Sequence, residues 1–194
     1  MQSKVKLTVL DRKVFKELQA QYLADPNSGA CPCYNVGDEF IFERYYAQDF
    51  WHMGLNTLKK TSHDNAYIKG AEGTPHCSEA WDAISRYVYA GLQGGSILRD
   101  WSNDDRIIIA CCPDGTRPVI FKIERMDYKA VYVDGINSDD CSNKIETALR
   151  AVENLTNVAF TDRCVEVFLD KDVTDEQIKN VIESCGDYVV TKID

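Results

Sequence analysis

Cysteine is the residue type in this 194-residue chain that can take part in the widest range of chemistry. Eight are present: Cys31, Cys33, Cys77, Cys111, Cys112, Cys141, Cys164 and Cys185. Thiolates bind soft metal ions and act as nucleophiles or redox centres. Free cysteine also packs well in apolar cores, which we expect to account for about half of the eight. Cys164, at the start of a predicted strand, and Cys185, late in a predicted helix, are expected to be packing residues.

The cysteines of the first half lie at the ends of predicted elements. Cys31 precedes a strand, Cys77 precedes a helix, and Cys111 and Cys112 end a strand. Neighbouring side chains on a strand point to opposite faces, so one member of the Cys111–Cys112 pair should face any given site. We therefore expect Cys31, Cys77 and one of that pair to lie close together.

A further donor could complete this cluster, either Cys33 or His76. Such a set of ligands would suit zinc or an iron–sulfur cluster. The chain has no C-x-x-C pair, the usual metal clamp, so a catalytic or redox thiol and simple packing remain alternatives.

Cys141 lies in a different pattern, Gly135-Ile136-Asn137-Ser138-Asp139-Asp140-Cys141, which leads into a predicted helix. Ser138 is a good helix N-cap, and the two aspartates complement the helix dipole. Their negative charge is expected to oppose any lowering of the Cys141 pKa by the helix N-terminus.

Periodicity predicts the elements that position these residues in the first half. We expect strands over 4–10, 36–44, 106–112 and 118–125, and helices over 11–24 and 78–95. Val14, Leu18 and Tyr22 lie at helical spacing in the first helix. Ser78 would cap the second helix. Asp114-Gly115 predicts a hairpin between the last two strands.

Residues 45–75 are predicted to be a long, partly ordered excursion, since they lack a sustained apolar period. The remainder follows a β-α-β-β-α-β order, with strands over 129–136, 157–162, 164–170 and 188–193. Its helices begin near Ser138 and at Thr174. The predicted fold class is therefore α+β. A small mixed domain, 1–127, is followed by a ferredoxin-like domain, 128–194.

The second half resembles the heavy-metal-associated domain of copper chaperones and metal-pumping ATPases. The resemblance lies in the order of elements, Gly135-Ile136, Cys141, "KIETAL", and Gly186 with Tyr188. It implies a loop of the form G-M-x-C-x-x-C that holds Cu(I) between two thiolates. Ser138 occupies the first cysteine position, and a hydroxyl is a poor ligand for a soft ion. A site completed by another chain or by a first-half cysteine is the alternative.

The first half resembles a family of small, uncharacterised, cysteine-bearing proteins of anaerobic prokaryotes. The matching stretches are "KVKLTVL", Cys31-Pro32, "VGDEF", "CSEAWDAISRYV" and "CCPDGTRPVIFKIER". This resemblance implies no established activity.

Charge and composition exclude several function classes. The net charge of −9 and the lack of a basic run argue against nucleic acid as a partner. No stretch has the apolar length of a membrane span, so no membrane insertion is expected, and we expect a cytoplasmic protein. The leading hypothesis is non-enzymatic metal or thiol handling. The alternatives are a cysteine-dependent enzyme or redox protein that uses a thiol of the first domain, and a regulatory or interaction protein without chemistry. A protein partner or a homo-oligomer stays open as the binding partner.

Overall fold

A computed structural model describes residues 2–42, 77–170 and 173–194, and the backbone of 59–60. In these residues the chain is mixed α/β with antiparallel strand pairing. The elements are β1 (Gln2–Arg12), α1 (Lys16–Tyr22), β2 (Glu39–Phe42), β3 (Lys59–Lys60), α2 (Ser78–Leu92), β4 (Ile107–Cys111), β5 (Val119–Asp134), α3 (Asp139–Arg150), β6 (Leu155–Phe160), β7 (Val165–Leu169), α4 (Asp175–Ser184) and β8 (Val189–Ile193). The predicted excursion 45–75, apart from 59–60, and His76 lie outside the described residues.

The chain divides into two compact units, Lys4–Arg125 and Met126–Asp194, the latter together with Met1–Ser3. The first unit has the strand order β3-β2-β1-β5, with β4 paired to β5. β4 and β5 are antiparallel from Ile107↔Glu124 to Cys111↔Ile120, which confirms the hairpin predicted at Asp114-Gly115.

Helix α2 contributes the apolar stripe predicted for it. Ile84, Val88 and Leu92 are buried in a core shared with residues of β1, β2 and β5. The helix lies close to β1 at Gly91, where an added Cβ would be 2.6 Å from Cγ2 of Val5. The expected Ser78 cap is wrong. Cys77 occupies the N-cap position and makes no side-chain capping bond.

Helix α1 differs from its prediction in both length and orientation. It begins at Lys16 because β1 extends to Arg12, and because the N–H groups of residues 13 and 15 donate to the carbonyls of Pro118 and Thr116. The apolar residues at helical spacing do not form a buried stripe. Leu18 is 39% exposed and Tyr22 69% exposed, whereas Gln19 is 1% exposed.

The strands predicted over 118–125 and 129–136 form one 16-residue strand, β5. The residues between them remain extended because they already pair with β7, at Asp127↔Leu169 and Tyr128↔Phe168. In the second unit β5 pairs with both β7 and β8, and β6 pairs with β7, which gives the order β8-β5-β7-β6.

The helices of the second unit start as predicted. Ser138 caps α3, and Thr174 caps α4 in a capping box with Gln177. Ile145 and Leu149 of α3 and Ile178 and Ile182 of α4 are buried in one apolar core with residues of β5, β7 and β8. Among the residues described in both units, no helix is long and apolar enough to cross a membrane.

Candidate functional site

Three cysteines of the first unit form what we call the thiol cluster: Cys31, Cys33 and Cys77. Cys31 and Cys33 lie in the turn between α1 and β2, and Cys77 is the N-cap of α2. All three are partly buried free thiols that pack against the core of this unit. The chain thus brings together thiols that are 44 residues apart in sequence (77 − 33).

Cys33 is the central member of the thiol cluster. Its side chain hydrogen-bonds with those of both Cys31 and Cys77. Burial, followed by the negative charge of the neighbouring thiolates and these hydrogen bonds, raises the pKa of Cys33 to about 11. Cys33 is therefore held as a neutral thiol at neutral pH, in contact with two other sulfurs.

Tyr34 joins the two chain segments that carry the cluster. Its ring is 6% exposed and packs edge-on against Phe40 and Phe121, with centroid distances of 5.9 and 5.5 Å. The backbone N–H of Cys77 donates to its hydroxyl. Burial, and then the negative charges of Cys77 and Cys33, raise the Tyr34 pKa, so this hydroxyl stays protonated.

Two more side chains bind the backbone around the cluster. Nη1 of Arg12 donates to the carbonyl oxygens of Cys31, at 3.0 Å, and Tyr34, at 2.8 Å. The amide of Gln19 donates to the carbonyl of Gly29 at 2.9 Å and accepts from its N–H at 3.1 Å. Sequence reasoning missed both residues.

Cys111 and Cys112 differ from each other as strand alternation predicts. Cys111 is exposed, and Cys112 is 8% exposed within the core. Sγ of Cys112 accepts from the N–H of Val119 at 3.3 Å across the hairpin.

The thiol of Cys33 contacts those of Cys31 and Cys77. Cys33, expected only as a possible fourth donor, therefore lies at the centre of the thiol cluster. The signal for this was the two-residue spacing of Cys31-Pro32-Cys33.

The thiol cluster is not arranged as a metal site within the described residues. In the described part of the chain, no group of three or more His, Cys, Asp or Glu side chains is arranged to hold a metal ion. His76, the other candidate donor, lies outside the described residues.

Cys141 has a separate environment in the second unit, at the start of α3. Oγ of Ser138 accepts from the backbone N–H of Cys141 at 3.4 Å and donates to its sulfur at 3.3 Å. Gly135 sets the path of the preceding loop. It has φ of +99°, and a Cβ there would lie 2.7 Å from the carbonyl oxygen of Asp187.

The pKa of Cys141 is lowered to about 7. The hydrogen bond from the Ser138 hydroxyl is the largest cause, followed by bonds from the backbone N–H of Asn137 and from the side chain of Tyr188. Any opposing effect of the aspartates does not outweigh these donors. Donors reach the sulfur directly, and Asp140 pairs with Lys144 at 2.9 Å, which offsets its charge.

The two remaining cysteines have the packing environments expected for them. Cys185 is partly buried against the core of the second unit, and its Sγ donates to the carbonyl of Ile182 at 3.1 Å. Cys164 packs against the smaller apolar cluster that contains Tyr128 and Phe168.

Comparison with known proteins identifies no relative of this chain: no family model matches it, and no curated protein or solved structure gives a significant match.

Proposed function

We propose that the Lys4–Arg125 unit is a non-enzymatic thiol-handling domain, in which Cys33 forms a reversible disulfide with Cys31 or Cys77. The observation that carries this proposal is the hydrogen-bonding contact of one thiol, Cys33, with two others. A thiol in contact with two partners can form a bond with either one without a large movement of the chain.

The reaction is a two-electron exchange. Cys33 and its partner lose two protons and two electrons as their S–S bond forms. The disulfide of a low-molecular-weight thiol takes up both, its S–S bond breaks, and two thiols are released. The exchange passes through a mixed disulfide between the protein and the small thiol.

Two features favour this function over the other thiol functions. A catalytic cysteine nucleophile needs a lowered pKa, whereas the pKa of Cys33 is raised to about 11. Zinc or an iron–sulfur cluster needs donors arranged around one ion, and in the described residues no group of three or more His, Cys, Asp or Glu side chains could hold a metal ion. Disulfide formation needs two thiols in contact and a small disulfide as the oxidant. Cys31 or Cys77 attacks the small disulfide as a thiolate, and Cys33 loses its proton as it closes the S–S bond.

We infer that the second unit has a ferredoxin-like fold, and that the chain comprises domains 1–127 and 128–194. The strand order β8-β5-β7-β6 and the two intervening helices support this inference.

We also propose that the second unit is related to heavy-metal-associated domains. Ser138 caps α3 where that family has its first thiolate, so we propose weak Cu(I) binding and a role in protein contacts for this unit.

The test uses the full chain, purified anaerobically and equilibrated in glutathione redox buffers. Differential alkylation with peptide mass spectrometry then reports which thiols are lost. In the wild-type chain we expect the free thiol of Cys33 to be lost together with that of Cys31 or Cys77. The variant Cys33→Ser should form no disulfide at these positions. The matched variant Cys111→Ser should behave like wild type.

Two results would contradict the proposal. One is a Cys31–Cys77 disulfide that forms equally well in Cys33→Ser, since Cys33 would then not be the shared partner. The other is stoichiometric zinc, or the broad brown absorbance of an iron–sulfur cluster, that Cys33→Ser removes from the anaerobically purified chain.

A further inference from the structure

We propose that Arg12 and Gln19 are positioning residues for the thiol cluster, because they hold the segment 29–34 where Cys33 meets its partner thiols. This inference rests on the proposed thiol–disulfide function. Neither residue is assigned a reactive role, since the bonds described for both end on backbone atoms.

The burial of Gln19 is the first argument. It is 1% exposed on a helix whose Leu18 is 39% exposed and whose Tyr22 is 69% exposed. An amphipathic helix normally buries its apolar residues, so the hydrophobic effect does not account for the orientation of α1. A buried amide must satisfy its donors and acceptors, and Gln19 does so through the N–H and the carbonyl of Gly29.

The contact of Arg12 is the second argument. A single nitrogen, Nη1, donates to the carbonyls of Cys31 and Tyr34. These two carbonyls lie at the two ends of the four-residue segment that contains Cys33. The guanidinium therefore fixes the span of this segment from the end of β1.

The consequence for disulfide formation follows from effective concentration. Two thiols held in contact react as though each were present at high concentration, and that concentration falls as the chain between them loosens. Tyr34 already fixes the Cys77 side through the N–H of that residue. Arg12 and Gln19 fix the other side, so the loss of either should weaken the disulfide relative to free thiols.

The experiment measures the equilibrium constant for the Cys33 disulfide against glutathione in the full chain. The variants are Arg12→Met, Arg12→Lys and Gln19→Met, and the matched control is Arg106→Met, which removes a guanidinium that binds Asp104 in the same unit. We expect Arg12→Met and Gln19→Met to lower the constant about tenfold, equivalent to about 30 mV for a two-electron couple. Arg12→Lys should fall between Arg12→Met and wild type, and Arg106→Met should stay within twofold of wild type.

Circular dichroism confirms that each variant is folded at the temperature used. The inference is overturned if folded Arg12→Met and Gln19→Met both keep the wild-type constant within twofold, or if Arg106→Met lowers it as much as they do. Should wild type form no Cys33 disulfide, the proposed function fails, and positioning is tested by the pH profile of Cys33 alkylation instead. Its midpoint should move to lower pH in Arg12→Met and Gln19→Met as the neighbouring thiols separate, and an unmoved midpoint would refute the inference on its own.

Discussion

Cys33, which hydrogen-bonds with the N-cap thiol of α2, and Cys141, in the first turn of α3, are both partly exposed thiols, yet their pKa values move in opposite directions. Burial, and then the neighbouring thiols of Cys31 and Cys77, raise the pKa of Cys33 to about 11. Direct donors, led by the hydroxyl of Ser138, lower that of Cys141 to about 7. The comparison shows that the groups within hydrogen-bonding reach of a sulfur can outweigh its position relative to a helix.

The two thiols should also affect stability with opposite dependence on pH. The folded pKa of Cys33 lies above the ordinary value of 9.0, so its stabilising contribution is present below about pH 9 and is lost as pH rises through about 11. The folded pKa of Cys141 lies below that value. Its contribution is present above about pH 9 and is lost as pH falls through about 7.

The largest expected effect is the stability gained when the thiol cluster is oxidised. A Cys33–Cys77 disulfide closes a loop of about 45 residues, which should stabilise the first unit by about 4 kcal/mol, whereas a Cys31–Cys33 disulfide should add less than about 2 kcal/mol. All three tryptophans, at 51, 81 and 101, fall in the Lys4–Arg125 unit, so their fluorescence during urea unfolding reports on this unit alone. A gain of about 4 kcal/mol would show that Cys77 is one of the two bridged cysteines, and no gain would mean that oxidation leaves these thiols unbridged.

The next largest effect is a difference in alkylation rate at pH 7. With pKa values of about 7 and 11, Cys141 has roughly 5,000 times more thiolate than Cys33. The more basic thiolate is intrinsically more nucleophilic by roughly 40- to 100-fold, which reduces the advantage of Cys141 to about 50- to 125-fold. Iodoacetamide labelling followed by peptide mass spectrometry measures the ratio. Equal rates would remove the contrast between the two environments.

The hydroxyl of Ser138 is the main donor to Cys141, and its removal should have a smaller effect. Ser138→Ala should raise the pKa of Cys141 by about one unit, which lowers its thiolate fraction at pH 7 about fivefold. Loss of the N-cap should also cost about 1 kcal/mol of stability. Thr174→Ala is the matched control, since it removes the cap of α4 and leaves Cys141 untouched. If both variants shift the alkylation midpoint of Cys141 equally, the shift comes from helix fraying and not from the lost donor.

Local sequence patterns predicted the regular elements and the strand alternation well. The Cys111–Cys112 pair, the Asp114-Gly115 hairpin and the caps at Ser138 and Thr174 depend on residues adjacent in sequence, and the structure has all of them as expected. The cap of α2 failed locally, because it lies at Cys77, one residue before Ser78. The other failures depend on partners distant in the chain. Gln19 faces inward because of Gly29, and the middle of β5 stays extended because of β7.

In the candidate sites, too, the sequence predicted what adjacent residues determine and missed what distant residues determine. The sequence predicted that Cys31 and Cys77 lie close together, but the central position of Cys33 depends on how Arg12 and Tyr34 hold the turn. For Cys141, the charges of Asp139 and Asp140 are visible in the sequence. The bond from Tyr188, 47 residues further along (188 − 141), is not, and neither is the geometry that lets Ser138 donate to the sulfur.

The smallest expected effect tests the order of the donors to Cys141. Tyr188 is the third cause of its lowered pKa, after Ser138 and Asn137, and the same bond raises the pKa of Tyr188. Tyr188→Phe keeps the ring, which is close to Gly186 and Gly135, and removes only the hydroxyl. We expect the thiolate fraction of Cys141 at pH 7 to fall about twofold, a smaller change than for Ser138→Ala.

Alkylation midpoints of the two single variants and the double variant measure whether the donors act independently. Tyr132→Phe is the matched control, because Tyr132 lies in the same unit with Lys192 over its ring, at 5.4 Å from the centroid. If Tyr188→Phe shifts the midpoint further than Ser138→Ala, the aromatic hydroxyl is the dominant donor. The capping serine would then account for the start of α3, and Tyr188 for the acidity of Cys141.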